Sequence, residues 1–176
     1  MFMKILYVLS LLISFGAMAC PSLLDTDMRI LDSSENENLC KYENKVLLVV
    51  NVASRCGYTY QYDSLQKLYT EYKDNDFVIL GIPSRDFMFQ EFKDESDVAE
   101  FCSTEYGVTF PMFATSKVTG PKANPFYVKL KQRTGYQPKW NFNKFLISRD
   151  AKTIKTYDQK IEPDSSKFIS DLESLL

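Results

Sequence analysis

The sequence contains no histidine. Triads built on histidine, imidazole bases and histidine-ligated metals are therefore excluded. Its four cysteines, Cys20, Cys40, Cys56 and Cys102, include no Cys-x-x-Cys pair. Zinc-ribbon spacing and the paired-cysteine redox motif are both missing as a result, and no metal or other cofactor is expected. Basic runs are missing too. The 21 basic residues are scattered against 23 acidic ones, for a formal net charge of −2, so nucleic acid is not an expected partner. The chain also lacks an apolar run of the roughly 20 residues that a membrane-spanning helix needs. It has no internal repeat and no low-complexity tract.

What is present begins with an export pattern. Lys4 precedes a short apolar run, Ile5 to Phe15, and Ala17-Met18-Ala19 follows. A positive start, a short apolar segment and an Ala-x-Ala end predict a signal peptide over residues 1–19. The expected destination is an oxidising compartment such as the bacterial periplasm. Cys20 directly after Ala19 raises the less favoured alternative of an N-terminal lipoprotein. Ala17 stands where such sites usually carry leucine. Residues 20–176 are the size of one domain, and 45% hydrophobic with 25% charged residues is an ordinary globular composition.

Along that domain, residues 21–45 are polar and turn-rich and predict a short hairpin. Lys45 to Ala53 is a nearly unbroken β-branched and apolar run, as in a strand buried on both faces. Leu65, Leu68, Tyr69 and Tyr72 recur at helical spacing. Phe77 to Ile82 is a second buried strand. Asp94 is placed to cap a helix whose apolar stripe is Val98, Phe101, Cys102 and Tyr106. Phe110 to Phe113 predicts a loop entering a short strand, and Pro125 to Leu130 a helix ending near Gly135. Phe142–Ile147 and Ile154–Tyr157 predict strands joined by a turn, and Asp164 the cap of a last helix. Parallel strands first and an antiparallel pair later make an α/β domain of thioredoxin-like arrangement. It has a central mixed sheet flanked by helices and an N-terminal hairpin extension.

Cys56 follows the first buried strand and precedes a helix. Reactive groups of open α/β sheets collect at that edge. The N–H groups of a helix start favour thiolate over thiol. Gly57 is expected to let the backbone pass close to the sulfur, and Arg55 is read as a solvated side chain that could add positive charge. An inert buried cysteine is the competing reading.

Asn51-Val52-Ala53-Ser54-Arg55-Cys56-Gly57-Tyr58-Thr59 resembles the peroxidatic motif of the glutathione peroxidase family in its cysteine form. Three further segments resemble that family's motifs in the same order: Gly81 to Glu91, Tyr106 to Phe113, and Trp140 to Leu146. The resemblance covers residues 22–176. It implies a catalytic tetrad of Cys56, Gln90, Trp140 and Asn141. Amide and indole N–H groups around a sulfur stabilise the thiolate and the oxyanion leaving from a peroxide, without histidine. Each partner also has a plainer reading: Gln90 as a loop amide, Trp140 as core and Asn141 as a strand cap. One departure stands out. The family's Phe-Pro-Cys-Asn-Gln-Phe-Gly is Ile82-Pro83-Ser84-Arg85-Asp86-Phe87-Met88 here. Methionine in place of that glycine predicts an altered loop ahead of Gln90.

Cys102 matches the position of the resolving cysteine in thioredoxin-dependent members, while its place on an apolar stripe also suits a core residue. Cys20 and Cys40 flank the hairpin. An oxidising compartment would support a structural disulfide between them, although spacing leaves the connectivity open. The implied activity is reduction of hydrogen peroxide and organic or lipid hydroperoxides through a Cys56 sulfenic acid, in protection against oxidative stress. A thioredoxin-like protein or glutathione would be the reductant. The short stretch between Gly120 and Trp140 lacks the loop of the family's tetramers and implies a monomer. The rival readings are a thiol-disulfide oxidoreductase of the same fold and a redox-silent thioredoxin-like binding module.

Overall fold

The structure is a computed structural model and describes residues 20–176. The expected signal peptide, residues 1–19, lies outside the described residues. β1 (Asp27–Arg29) and β2 (Asn36–Asn38) pair antiparallel as a hairpin. The chain continues through β3 (Val46–Val52), α1 (Gln61–Tyr72), β4 (Phe77–Pro83), α2 (Glu95–Tyr106), α3 (Pro125–Thr134), β5 (Lys144–Ile147), β6 (Ile154–Tyr157) and α4 (Ser166–Glu173). The main sheet has the order β4-β3-β5-β6. β3 and β4 run parallel from Val46↔Phe77 to Val52↔Pro83, and β5 and β6 add antiparallel. This is the thioredoxin-like arrangement.

Every residue of β3 and β4 is buried, because both faces of the sheet are covered. On one face Val46, Leu48, Val50 and Val52 pack with Tyr62 and Leu65 of α1, Val98 and Cys102 of α2, and Phe168 and Leu172 of α4. On the other, Leu47, Val49 and Leu80 pack with Phe126 and Leu130 of α3 and with the N-terminal segment through Leu23, Leu24 and Met28. Cys20 and Cys40 are bonded to each other, with Cα atoms 5.6 Å apart. The bond pins the start of the described chain to a 3₁₀ turn at Leu39–Tyr42.

Three local expectations need correction. Phe110–Phe113 does not form a named strand. It makes isolated bridges, Gly81↔Met112 and Ile30↔Phe113. Pro111 has no N–H to extend a ladder, so only its carbonyl is used, accepting from the Gly81 N–H at 2.9 Å. The strand expected from Phe142 starts at Lys144, because Phe142 turns through a left-handed conformation (φ 62°). Ser165, not Asp164, caps α4, its hydroxyl accepting from the Phe168 N–H at 3.4 Å. Asp94 occupies the cap position of α2 with extended backbone, but its side chain makes no capping hydrogen bond.

Candidate active site

The carboxyl ends of the parallel strands β3 and β4 lie side by side, and the approach to antiparallel β5 reaches the same edge of the sheet. The loops there carry Cys56, Gln90, Trp140 and Asn141.

After β3 the chain folds into a tight turn. The Thr59 hydroxyl donates to the Ala53 carbonyl at 2.8 Å and accepts from the Cys56 N–H at 2.9 Å, and the Thr59 N–H returns to the Cys56 carbonyl at 3.1 Å. The turn leaves the Cys56 thiol free and only 8% exposed. The Tyr58 N–H, just ahead of α1, donates to its Sγ at 3.4 Å. This is the helix-start environment that the sequence predicted. The expectation for Gly57 needs correction: a Cβ there would meet nothing within 4 Å, and its φ is not left-handed. The close backbone approach therefore does not depend on a glycine at this position.

The loop after β4 is fastened to this turn through its backbone. The Arg55 N–H donates to the Gln90 carbonyl at 2.9 Å, and the Arg55 guanidinium donates to the Glu91 carbonyl at 3.0 Å while resting 4.7 Å from the Phe92 ring centroid. Arg55 is exposed, but it is docked rather than free. Glu91 reinforces the junction from inside. One of its carboxyl oxygens accepts from the Ser54 N–H at 3.1 Å and the Phe92 N–H at 2.8 Å. The other is buried without a partner among the described residues. Burial pushes the Glu91 carboxyl above its ordinary range, and the two backbone donors hold it back.

Asn141 is fully buried, and its amide donates to the Gln90 side-chain oxygen at 3.0 Å. Gln90 is thus held by its backbone against the Cys56 turn and by its side chain against Asn141. The shared bond leaves the N–H groups of Gln90 and the second N–H of Asn141 for another acceptor. Trp140 is half-buried, stacks at a tilt against Phe87 with ring centroids 5.9 Å apart, and packs on the same core as Cys56. Neither the Gln90 and Asn141 amides nor the Trp140 indole is hydrogen-bonded to the Cys56 sulfur among the described residues; the Tyr58 N–H is. A cavity of about 350 Å³ opens beside Trp140, lined also by Tyr136, Lys139, Asp158, Gln159 and Lys160.

The glutathione peroxidase family profile matches residues 23–131 of the chain. This chain belongs to the glutathione peroxidase family. The glutathione peroxidase homolog BsaA of Halalkalibacterium halodurans is 44% identical over 150 residues, covering 83% of this chain and 94% of that protein. The hydroperoxy fatty acid reductase gpx1 of Synechocystis sp. is 41% identical over 148 residues, covering 77% of this chain and 85% of that one. The apo crystal structure of Trgpx superposes with a TM-score of 0.68 at 34% identity, over 88% of this chain and 95% of that one.

In this family member the methionine that departs from the family motif keeps a glycine-like backbone. Met88 and Phe89 both have left-handed φ, 53° and 52°, and their side chains are 74% and 71% exposed. Cys102 lies apart from the four clustered residues. It is buried in α2 at 3% exposure, its thiol donates to the Tyr62 hydroxyl at 3.4 Å, and burial pushes its pKa up to about 11. It also lines a surface groove of about 260 Å³ with Leu31, Val108 and Met112. Cys56 and Cys102 are both free thiols in the same core.

Three residues escaped the sequence reading. Asn51, Glu91 and Lys144 are fully buried, and all three bond to backbone of the Cys56, Gln90 or Trp140 segments. Their signal was a polar residue inside or beside an apolar strand, which is costly unless it is partnered. Lys144 is the extreme case: burial lowers its pKa to about 7.

Proposed function

We propose that this glutathione peroxidase family member is a thiol peroxidase that reduces hydroperoxides with the sulfur of Cys56. The Cys56 thiolate attacks one oxygen of the peroxide O–O bond, a sulfur–oxygen bond forms, and the other oxygen leaves as alcohol or water after taking up a proton. Cys56 becomes a sulfenic acid. Gln90, Asn141 and the Trp140 indole act as N–H donors to the thiolate and to the departing oxygen. The observation that carries this reading is the Gln90–Asn141 pair. Its hydrogen bond of 3.0 Å and the Arg55–Gln90 backbone bond of 2.9 Å seat two amides beside the Cys56 turn.

Regeneration is assigned to Cys102. Its thiol condenses with the sulfenic acid, forming a Cys56–Cys102 disulfide and releasing water. A thioredoxin-like dithiol then reduces that disulfide. Glutathione is the reductant if Cys102 is only a core residue. Bulky hydroperoxides are included among the substrates, in keeping with the fatty-acid specificity in the name of the Synechocystis relative. The chain acts as a monomer, exported with removal of residues 1–19. The test is peroxide consumption with dithiothreitol, thioredoxin or glutathione, by wild type and by Cys56→Ser. Wild-type turnover with the variant inactive is expected. A Cys56→Ser protein that keeps wild-type rates ends this reading and returns the binding-module alternative.

A further inference from the structure

Phe142 sits directly after Trp140 and Asn141 in a left-handed conformation, φ 62°. Bulky L-residues rarely adopt that conformation, and they keep it only where their surroundings impose it. Here the surroundings are specific. The Phe142 N–H donates to the Asn51 carbonyl at 2.6 Å. The Asn51 side-chain amide donates to the Trp140 carbonyl at 2.9 Å. The Lys144 ammonium donates to the Phe142 carbonyl at 2.8 Å. Asn143, also fully buried, braces the same turn, accepting from the Tyr136 hydroxyl at 2.6 Å and the Lys139 N–H at 2.9 Å.

Asn51 and Lys144 are both 0% exposed. A buried amide and a buried ammonium are expensive to keep unless their bonds do something a hydrocarbon side chain could not. The hydrogen bond described for Lys144 goes to a backbone carbonyl, and the carboxylates that act on it, Glu162 and Asp158, do so through space. Neither residue is needed as acid, base or nucleophile in the peroxidase cycle. Strand alternation places Asn51 on the face of Leu47 and Val49, whereas Lys144, paired with Val50, lies on the face that carries Cys56.

We propose that Asn51 and Lys144 are positioning residues that grip the Trp140–Phe142 turn from opposite faces of the sheet and so fix Trp140 and Asn141 against the Cys56 turn. The proposal rests on the thiol peroxidase reading for its kinetic consequence, but not for its structural one. The lysine amine offers N–H donors in either protonation state, so the grip does not depend on its charge.

Trp140 is the only tryptophan in the chain, so tryptophan fluorescence, excited at the red edge where tyrosine does not absorb, reports on the gripped turn alone. Two variants remove one bond each at nearly constant volume: Lys144→Met and Asn51→Asp. Lys144→Gln retains a shorter N–H donor as the conservative partner. Emission maximum, acrylamide quenching, urea stability and stopped-flow oxidation of Cys56 by hydrogen peroxide are measured for each. The expected result is a cooperative fold with red-shifted, more quenchable Trp140 emission. Cys56 oxidation should slow on the order of 10- to 100-fold, the scale of an ångström-level misplacement, and Lys144→Gln should recover part of both. Wild-type emission in the folded variants overturns the proposal, as does shifted emission with an unchanged oxidation rate. If Lys144→Met does not fold, Asn51→Asp decides by the same readouts. A wild-type protein that fails to react with peroxide refutes the functional reading, while the emission arm still supports or refutes the grip.

Discussion

Two free cysteines share one core and little exposure, yet their surroundings differ in kind. Cys56 ends a turn, and its sulfur receives the Tyr58 N–H. Cys102 rides in the middle of α2, and its sulfur donates to the Tyr62 hydroxyl. A backbone N–H faces the first sulfur, whereas a side-chain hydroxyl, able to donate or accept, faces the second. The backbone around them differs as well. Near Cys56 the left-handed positions are filled by Met88, Phe89 and Phe142, all costly there, whereas α2 closes on Gly107, for which that conformation is free of strain. Burial alone therefore does not distinguish the two thiols. The partner at sulfur and the strain held by neighbouring loops do.

The largest expected contrast is in alkylation. With a pKa of about 11, Cys102 is thiolate on the order of 10⁻³ of the time at pH 8. Iodoacetamide at pH 8 should label Cys56 and largely spare Cys102, with Cys102 labelling rising about tenfold per pH unit toward 11. Peptide mapping that finds equal labelling at pH 8 removes the contrast.

Next comes the amide pair. Asn141→Ala takes away the partner of Gln90 and should slow Cys56 oxidation on the order of 10²-fold in stopped flow, the scale seen for loss of one oxyanion donor. Cys102→Ser should leave that first oxidation within about twofold while abolishing turnover with thioredoxin. If the two variants exchange phenotypes, the roles assigned to the two regions are reversed.

The sequence displayed these two regions unequally. The run from Lys45 to Ala53 announced β3, and with it the edge where Cys56 sits, because an unbroken β-branched stretch has few other ways to be buried. The family resemblance implied that Gln90 and Asn141 come together, and the structure joins them. What could not be read was the support. Asn51, Glu91 and Lys144 bond to backbone distant in sequence or turned unexpectedly, and no local periodicity encodes such partners. The same holds for Phe110–Phe113. Its apolar residues read as a strand, but Pro111 and the neighbouring hairpin reduce it to two bridges.

Lys144 extends the comparison to pH. Its pKa is about 7 when folded, against an ordinary 10.5. Between those values the unfolded chain binds more protons, so this residue makes stability rise with pH across that window, and its burial cost is fully present below about 7. Glu162 and Asp158 are the carboxylates acting on it. Lys144→Met should flatten the increase in urea stability from pH 7 to 10 by on the order of 3 kcal/mol. An unchanged slope shows that the amine titrates normally.

The smallest effect tests the strain itself. Met88→Gly exchanges a left-handed methionine for a residue at ease there, and should gain about 0.5 kcal/mol after the added flexibility of the unfolded chain is subtracted. A loss in urea titration would mean that the loop is not strained at Met88.

The bond between Cys20 and Cys40 has a consequence of valence. A sulfur in a disulfide has no valence left for a thioether. A chain holding this bond cannot also carry a lipid at Cys20, so covalent stapling of the hairpin and covalent attachment to a membrane are exclusive fates of one atom.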